Sequence, residues 1–152
     1  MIFLIIAGLV IILDQLTKSL VRQILSPGQS IPIINGIFHI TYVNNPGAAF
    51  GLLPNHHLFF LLVTFITIVF IFLYYGRIRP REMLIQVALG MELGGAAGNF
   101  IDRTAYGLVT DFLDFRIWPV FNVADSAIVI GLILLVLTLL LEKRQERASS
   151  FE

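Results

Sequence analysis

LFFLLVTFITIVFIFLYYG, Leu58 to Gly76, contains no charged residue, no proline and no side-chain amide. A helix needs about 20 mostly apolar residues to cross a hydrocarbon core about 30 Å thick, and this stretch supplies them. Three further segments qualify. The first runs from Ile2 to about Leu25 and is interrupted by Asp14, Gln15, Lys18 and Arg22. Another runs from about Met83 to Ile101, rich in glycine and broken by Glu92, and the last from about Phe121 to Leu141, with Asp125 near its start. Four spans use roughly 80 positions of the 152. The chain is therefore expected to be one integral membrane domain over residues 1–152, an all-α membrane protein with connections at about 26–57 and 102–120 opposite the termini.

Composition agrees. Hydrophobic residues make up 57% and charged residues 13%, with a mean hydropathy of +0.89, whereas a soluble domain carries about 25% charge. Ten basic and ten acidic residues cancel, which leaves no basic face for nucleic acid. With no cysteine there is no disulfide, thiolate nucleophile or cysteine-bound metal. The first segment lacks a positive n-region and a small-residue cleavage site, so it is read as retained.

Lys and Arg in short flanking segments set orientation. Arg77, Arg79 and Arg81 lie between the second and third spans, and Lys143, Arg144 and Arg147 follow the fourth. Both clusters share a side, which places both termini in the cytoplasm. The stretch from Ser26 to His57 has no charge, as suits an outside connection. Within it, Asn35-Gly36 between two β-rich runs predicts a hairpin with a type I′ turn, whose two central residues take positive φ. The tail from Glu142 is expected to fray.

Several constellations bear on chemistry. Asp14 and Lys18 are four apart and share a helix face, with Arg22 continuing it, a spacing suited to an ion pair inside the membrane. Gly90, Gly94 and Gly98 form a stripe that lets another helix approach closely. Glu92, Asn99 and Asp102 project from related faces of the same helix, and a mid-membrane carboxylate such as Glu92 needs a partner or a proton. Asp111 and Asp125 are the pair with catalytic potential. Two plainer roles stand beside that one: a solvated loop acid for Asp111, and a helix-start acid favoured by the dipole for Asp125. His39, His56 and His57 have no metal-site spacing. Ser19 beside Lys18 and Ser126 beside Asp125 point about 100° apart on a helix, so neither pair forms a dyad.

Five motifs in order carry a resemblance: Asp14-x-x-x-Lys18; Asn45-Pro46-Gly47-Ala48-Ala49-Phe50-Gly51; Gly94-Gly95-Ala96-Ala97-Gly98-Asn99-Phe100-Ile101-Asp102-Arg103; Val109-Thr110-Asp111-Phe112; and Phe121-Asn122-Val123-Ala124-Asp125. In these, over essentially its whole length, the chain resembles the lipoprotein (type II) signal peptidases of bacteria. The resemblance implies four transmembrane helices, a small extracytoplasmic β-sheet and a short interfacial helix in the bacterial inner membrane. It implies an aspartic endopeptidase that cuts prolipoproteins before a diacylglyceryl-modified cysteine, working at the outer face in contact with membrane lipid, without metal or cofactor; the chain is itself expected to be a monomer. Asp111 and Asp125 match the catalytic pair. Asn45, Gly47, Asn99, Arg103 and Asn122 match residues lining the site, and Asp14, Lys18 and Asp102 match supporting positions. At about 4 Å a second carboxylate charge costs roughly 4 kcal/mol at an effective dielectric of 20, enough to keep one aspartate protonated near neutral pH. The competing reading is a small helical-bundle transporter with Asp14, Lys18, Glu92 and Asp125 along an ion or proton path.

Overall fold

The computed structural model describes residues 1–47, 57–78 and 82–149. Four helices, α1 (Ile2–Ile24), α2 (His57–Tyr75), α3 (Met83–Tyr106) and α4 (Val123–Ser149), are joined by strands β1 (Ser30–Ile34), β2 (Phe38–Asn45) and β3 (Val109–Asp114). All four helices are long and apolar enough to cross a membrane. The third is the axis of the bundle, packed against α1, α2 and α4. Its span is 61% buried within the protein, against 6–22% for the others, which explains its weaker hydropathy: a helix surrounded by protein need not present apolar side chains to lipid.

Glycines set how close the neighbours come. A Cβ at Gly94 would lie 2.6 Å from Val10 Cβ and 2.8 Å from the Ala7 carbonyl oxygen, and one at Gly90 would lie 2.7 Å from the Phe3 carbonyl oxygen. Gly95 makes the same kind of contact with the Ala124 backbone of α4. Small residues thus bring α1 and α4 against two sides of α3.

The interior is inverted relative to a soluble protein. Asp14, Lys18, Asp102 and Asn122 are completely buried, while Leu4, Leu9, Leu13, Leu16 and Leu20 on α1 are exposed, as a lipid surround demands. One apolar cluster, Phe3, Ala7, Ile71, Ile85, Leu89 and Leu93, closes the end near the N-terminus. Another, Val21, Leu25, Tyr42 and Phe112, seats the sheet on the far end of α1.

Several elements depart from the sequence reading. The hairpin forms, but its turn is not type I′: Gly36 has φ 73° while Asn35 does not take positive φ. The Ile37 N–H closes the turn on the Ile34 carbonyl at 3.0 Å, and a register shift between Pro32 and Ile34 absorbs the mismatch. A third strand, β3, lies within the connection expected at 102–120 and pairs antiparallel with β2, giving the order β1-β2-β3. Helix α3 runs five residues beyond the expected Ile101, to Tyr106; Gly107, at φ 76°, ends it by bonding its N–H to the Arg103 carbonyl at 3.1 Å. The tail expected to fray is helical through Ser149. The short interfacial helix is not among the described elements, and residues 48–56 of the first connection, with Ala48 to Gly51 of the second motif, lie outside them.

Gly94→Leu should unseat α1 from α3, because neither the Val10 side chain nor the Ala7 backbone can withdraw without moving the helix; overpacking of this kind costs about 1–3 kcal/mol. Gly8→Ala, within α1 where a Cβ meets nothing within 4 Å, should not destabilise, since alanine is the better helix former. Thermal unfolding of the detergent-solubilised variants distinguishes the two.

Candidate active site

The site is organised around one buried ammonium. Lys18 Nζ lies 2.8 Å from Asp14 Oδ2, 3.4 Å from Asp102 Oδ2 and 2.9 Å from Asn99 Oδ1. The Arg22 guanidinium adds a second cation 3.5 Å from Asp102 Oδ1. Two acids and two bases make the cluster neutral, the condition under which charge is tolerated away from water. The i,i+4 pairing read from Asp14 and Lys18 is present, widened by Asp102 from α3. Gly98 makes room for it: a Cβ there would sit 2.5 Å from Asp14 Oδ2.

Each acid also holds a backbone element. Asp14 Oδ1 accepts the Ala124 N–H at 2.9 Å, so α1 caps a free amide at the start of α4. Asp102 Oδ2 accepts the Thr110 N–H at 3.0 Å, fixing β3 one residue before Asp111. Gln15, which the sequence reading noted only as an interruption, donates to Asp14 Oδ2, the Gly98 carbonyl and Asp102 Oδ1 at 3.0–3.2 Å. Thr110, inside a matched motif but without an assigned role, is fully buried and accepts from Arg22 at 3.0 Å. A polar residue inside an apolar span was the signal for Gln15; Thr110 had none.

Above this cluster three asparagines hold two carboxylates. Asn45 donates to Asp111 Oδ2 at 2.8 Å and Asn122 to Asp111 Oδ1 at 2.7 Å. Asn99 donates to Asp125 Oδ1 at 2.8 Å. The oxygen end of every amide is fixed by an N–H donor: Asn45 by the Gly47 backbone at 3.0 Å, Asn99 by Lys18 and by Asn122 Nδ2 at 3.2 Å, and Asn122 by the Asp125 backbone at 2.9 Å. The NH₂ ends therefore have one way to point, at the acids. Asn122 and Asp125 also form a reciprocal cap on α4, since the Asn122 N–H returns to Asp125 Oδ2 at 3.2 Å. The capping role weighed for Asp125 thus coexists with its place in the site.

Asp111 and Asp125 line one cleft of about 280 Å³ with Asn45, Gly47, Asn99, Arg103, Trp118 and Phe121. Arg103 reaches it with its guanidinium 5.5 Å from the Phe60 ring centroid. Asp111 is not a solvated loop acid: it is 2% exposed, on β3, paired in register with Val43. Burial first, and the neighbouring Asp125 carboxylate second, push its carboxyl from 3.8 up to about 7, against the pull of the Asn45 and Asn122 hydrogen bonds. Charge repulsion alone was expected to keep one acid protonated; desolvation is the larger cause. A protonated acid beside a second carboxylate, each held by fixed donors, can give a proton at one point while taking one at another.

Other candidates stay apart. Glu92 sits within α3 with its Cγ against Gly131 of α4, and its buried Oε1 has no hydrogen-bond partner among the described residues. It does not join Asn99 and Asp102. The Ser126 hydroxyl donates to the Asn122 carbonyl at 2.9 Å, as a helix side chain and not a nucleophile.

The family profile described as signal peptidase (SPase) II matches residues 6–141. The chain is 51% identical to the lipoprotein signal peptidase of Pelotomaculum thermopropionicum, over 92% of each chain. It is 50% identical to the lipoprotein signal peptidase of Moorella thermoacetica, over 91% of this chain and 93% of that one. Among solved structures, a bacterial membrane enzyme determined by the in meso method superposes with a TM-score of 0.87 at 36% identity, covering 93% of this chain and 88% of that one. A second such structure gives 0.83 at 37% identity. The transporter reading finds no support in these matches.

The raised Asp111 carboxyl links stability to pH. The folded chain holds this proton more tightly than the unfolded chain does, so the stabilisation is complete below the unfolded value of 3.8 and is lost as pH rises through about 7. The melting temperature should fall more between about pH 5 and pH 8 in the native protein than in Asp111→Asn. Parallel curves for the two proteins would refute the shift.

Proposed function

Starting from the premise that this chain belongs to the signal peptidase II family and removes signal peptides from prolipoproteins in the bacterial membrane, we propose that it does so as an aspartic endopeptidase with Asp111 and Asp125 as the catalytic pair. The observation that carries this is the single cleft in which both carboxylates are held by Asn45, Asn99 and Asn122. The substrate is a prolipoprotein whose cysteine carries a diacylglyceryl thioether, cut at the amide bond just before that cysteine.

In the first step Asp125 takes a proton from a water molecule while its oxygen attacks the scissile carbonyl carbon. Asp111 gives its proton to the carbonyl oxygen, which would otherwise become an oxyanion. The tetrahedral intermediate then collapses: a proton passes from Asp125 to the leaving nitrogen, Asp111 recovers its own, and the C–N bond breaks. The products are a signal peptide ending in a carboxylate and a cysteine with a free amine. Arg103 and Asn45 orient the peptide backbone, with Gly47 leaving space for it. The chain supplies both acids itself and acts as a monomer, without metal or cofactor.

Orientation follows from charge. Arg77 after α2 and Lys143 and Arg144 near the end of α4 lie at the end of the bundle opposite the sheet, so we assign that end to the cytoplasm and the cleft to the outer face. Cysteine at Asn35, exposed at the hairpin turn, should react with an impermeant maleimide in intact cells. Cysteine at Arg77 should react only after lysis. The reverse pattern would place the cleft in the cytoplasm.

Asp111→Asn and Asp125→Asn should each abolish cleavage of a diacylglyceryl-modified prolipopeptide, because an amide cannot exchange a proton in the working range. The double variant should be scarcely worse, since the pair acts as one unit. Asp114→Asn should still cleave. Asp114 is buried and accepts from Thr41 at 2.7 Å and from Arg116 at 2.9 and 3.0 Å, so its loss should lower the melting temperature instead. Near-native turnover by a well-folded Asp111 or Asp125 variant would reject the aspartic assignment, as would equal cleavage of the unlipidated peptide for the diacylglyceryl requirement.

A further inference from the structure

Helix α3 carries two acids, and only Asp102 belongs to the buried cluster. The other, Glu92, is half-buried, with Oε1 buried and lacking a hydrogen-bond partner among the described residues. Room is kept for it. Gly131 of α4 lies against it, and a Cβ there would sit 3.1 Å from Glu92 Cγ and 2.8 Å from the Ala88 carbonyl oxygen. A buried acceptor without a donor destabilises the fold that contains it, and an acid inside a membrane span points to function. Its direction says which function. At about 100° per residue, Asn99 and Arg103 leave α3 within about 20° of the line of Glu92, and both line the cleft. On α4 the cleft extends to Ile128 and Val129, and Gly131 belongs to the next turn. Helices α2 and α4 flank this face and pack on α3, but scarcely on each other. Glu92 therefore stands below the cleft, on a face that the flanking helices leave partly uncovered.

We propose that Glu92 is a specificity-determining residue, whose carboxyl accepts a hydrogen bond from a serine or threonine hydroxyl of the signal peptide about three to seven residues before the cut. The inference rests on the reading that places the scissile bond at Asp111 and Asp125. A signal peptide whose end lies in the cleft runs back through the membrane, and there a helix keeps its backbone satisfied, so what it offers Glu92 is a side chain. A lysine or arginine would itself be costly at this depth, whereas serine and threonine hydroxyls hydrogen-bond between helices in membranes. Distance sets the position. Asn99 holds Asp125 at 2.8 Å and so marks the level of the scissile bond, with Glu92 about 10 Å below it along the helix axis. About three extended residues or about seven helical ones cover that distance.

In proteoliposomes, kcat/KM would be measured for a series of diacylglyceryl-modified prolipopeptides carrying alanine or serine at each position of that window. At one position, or at two a helical turn apart, serine should be preferred over alanine by about three- to twentyfold, the range for one hydrogen bond between membrane helices. Glu92→Leu should abolish the preference, and Glu92→Gln, which keeps a carbonyl acceptor, should retain most of it. A folding defect would lower both substrates alike and leave the ratio unchanged. A photoreactive leucine next to the preferred position should label α3 near Glu92 or α4 near Gly131. No serine preference at any position, an equal preference in Glu92→Leu, or labelling confined to α1 while cleavage proceeds would overturn the role of Glu92 and leave the peptidase intact. Cleavage surviving in Asp111→Asn would instead reject the reading from which the window is measured.

Discussion

The completely buried ammonium of Lys18 constrains everything above it. Left unpaired in the membrane interior it would be intolerable, and removing one partner from a buried ion pair costs about 3–5 kcal/mol. The chain answers with Asp14 at 2.8 Å and Asp102 at 3.4 Å, and Arg22 balances the extra acid. Because these four groups come from two helices, neutralising them locks α1 to α3. Through the Ala124 and Thr110 amides they also lock the start of α4 and of β3. The two elements that carry the candidate catalytic acids are thus tied to one electrostatic anchor.

The same anchor reaches the acids through an amide. Lys18 and Asn122 both donate to Asn99 Oδ1, which leaves the Asn99 NH₂ group directed at Asp125. Asn122 faces both ways, holding Asp111 with its side chain and closing the cap of α4 with Asp125. Helix start and candidate acid are therefore one construction. Asp111 is buried on a strand, where loss of hydration outweighs the neighbouring charge in raising its carboxyl.

The lipid surround gives this arrangement its shape. Polar groups converge on α3, and leucines and isoleucines face outward. The cleft opens beside an apolar cavity at one end of the bundle.

The sequence by itself determined the four spans, the glycine stripe against α1, the Asp14–Lys18 pair and the hairpin, because each depends on residues a few positions apart: hydropathy over about 20 residues, spacing of four along a helix, two turn residues between strands. By resemblance it also brought together Asn45, Asn99, Asp111, Asn122 and Asp125. What only the tertiary structure decided was β3 and all that follows from it. The segment Val109–Asp114 is buried on both faces and carries two acids, so it has no alternation to read, and its partner strand lies far back in the chain, Asn45 and Asp111 being 66 positions apart. Whether Asp111 was a loop acid or a buried, proton-holding one turned on that pairing. The roles of Gln15 and Thr110, and the orientation of three amides, were likewise set by groups distant in sequence, because a buried hydrogen bond is satisfied by whatever the fold brings within 3 Å, and local sequence does not encode that proximity.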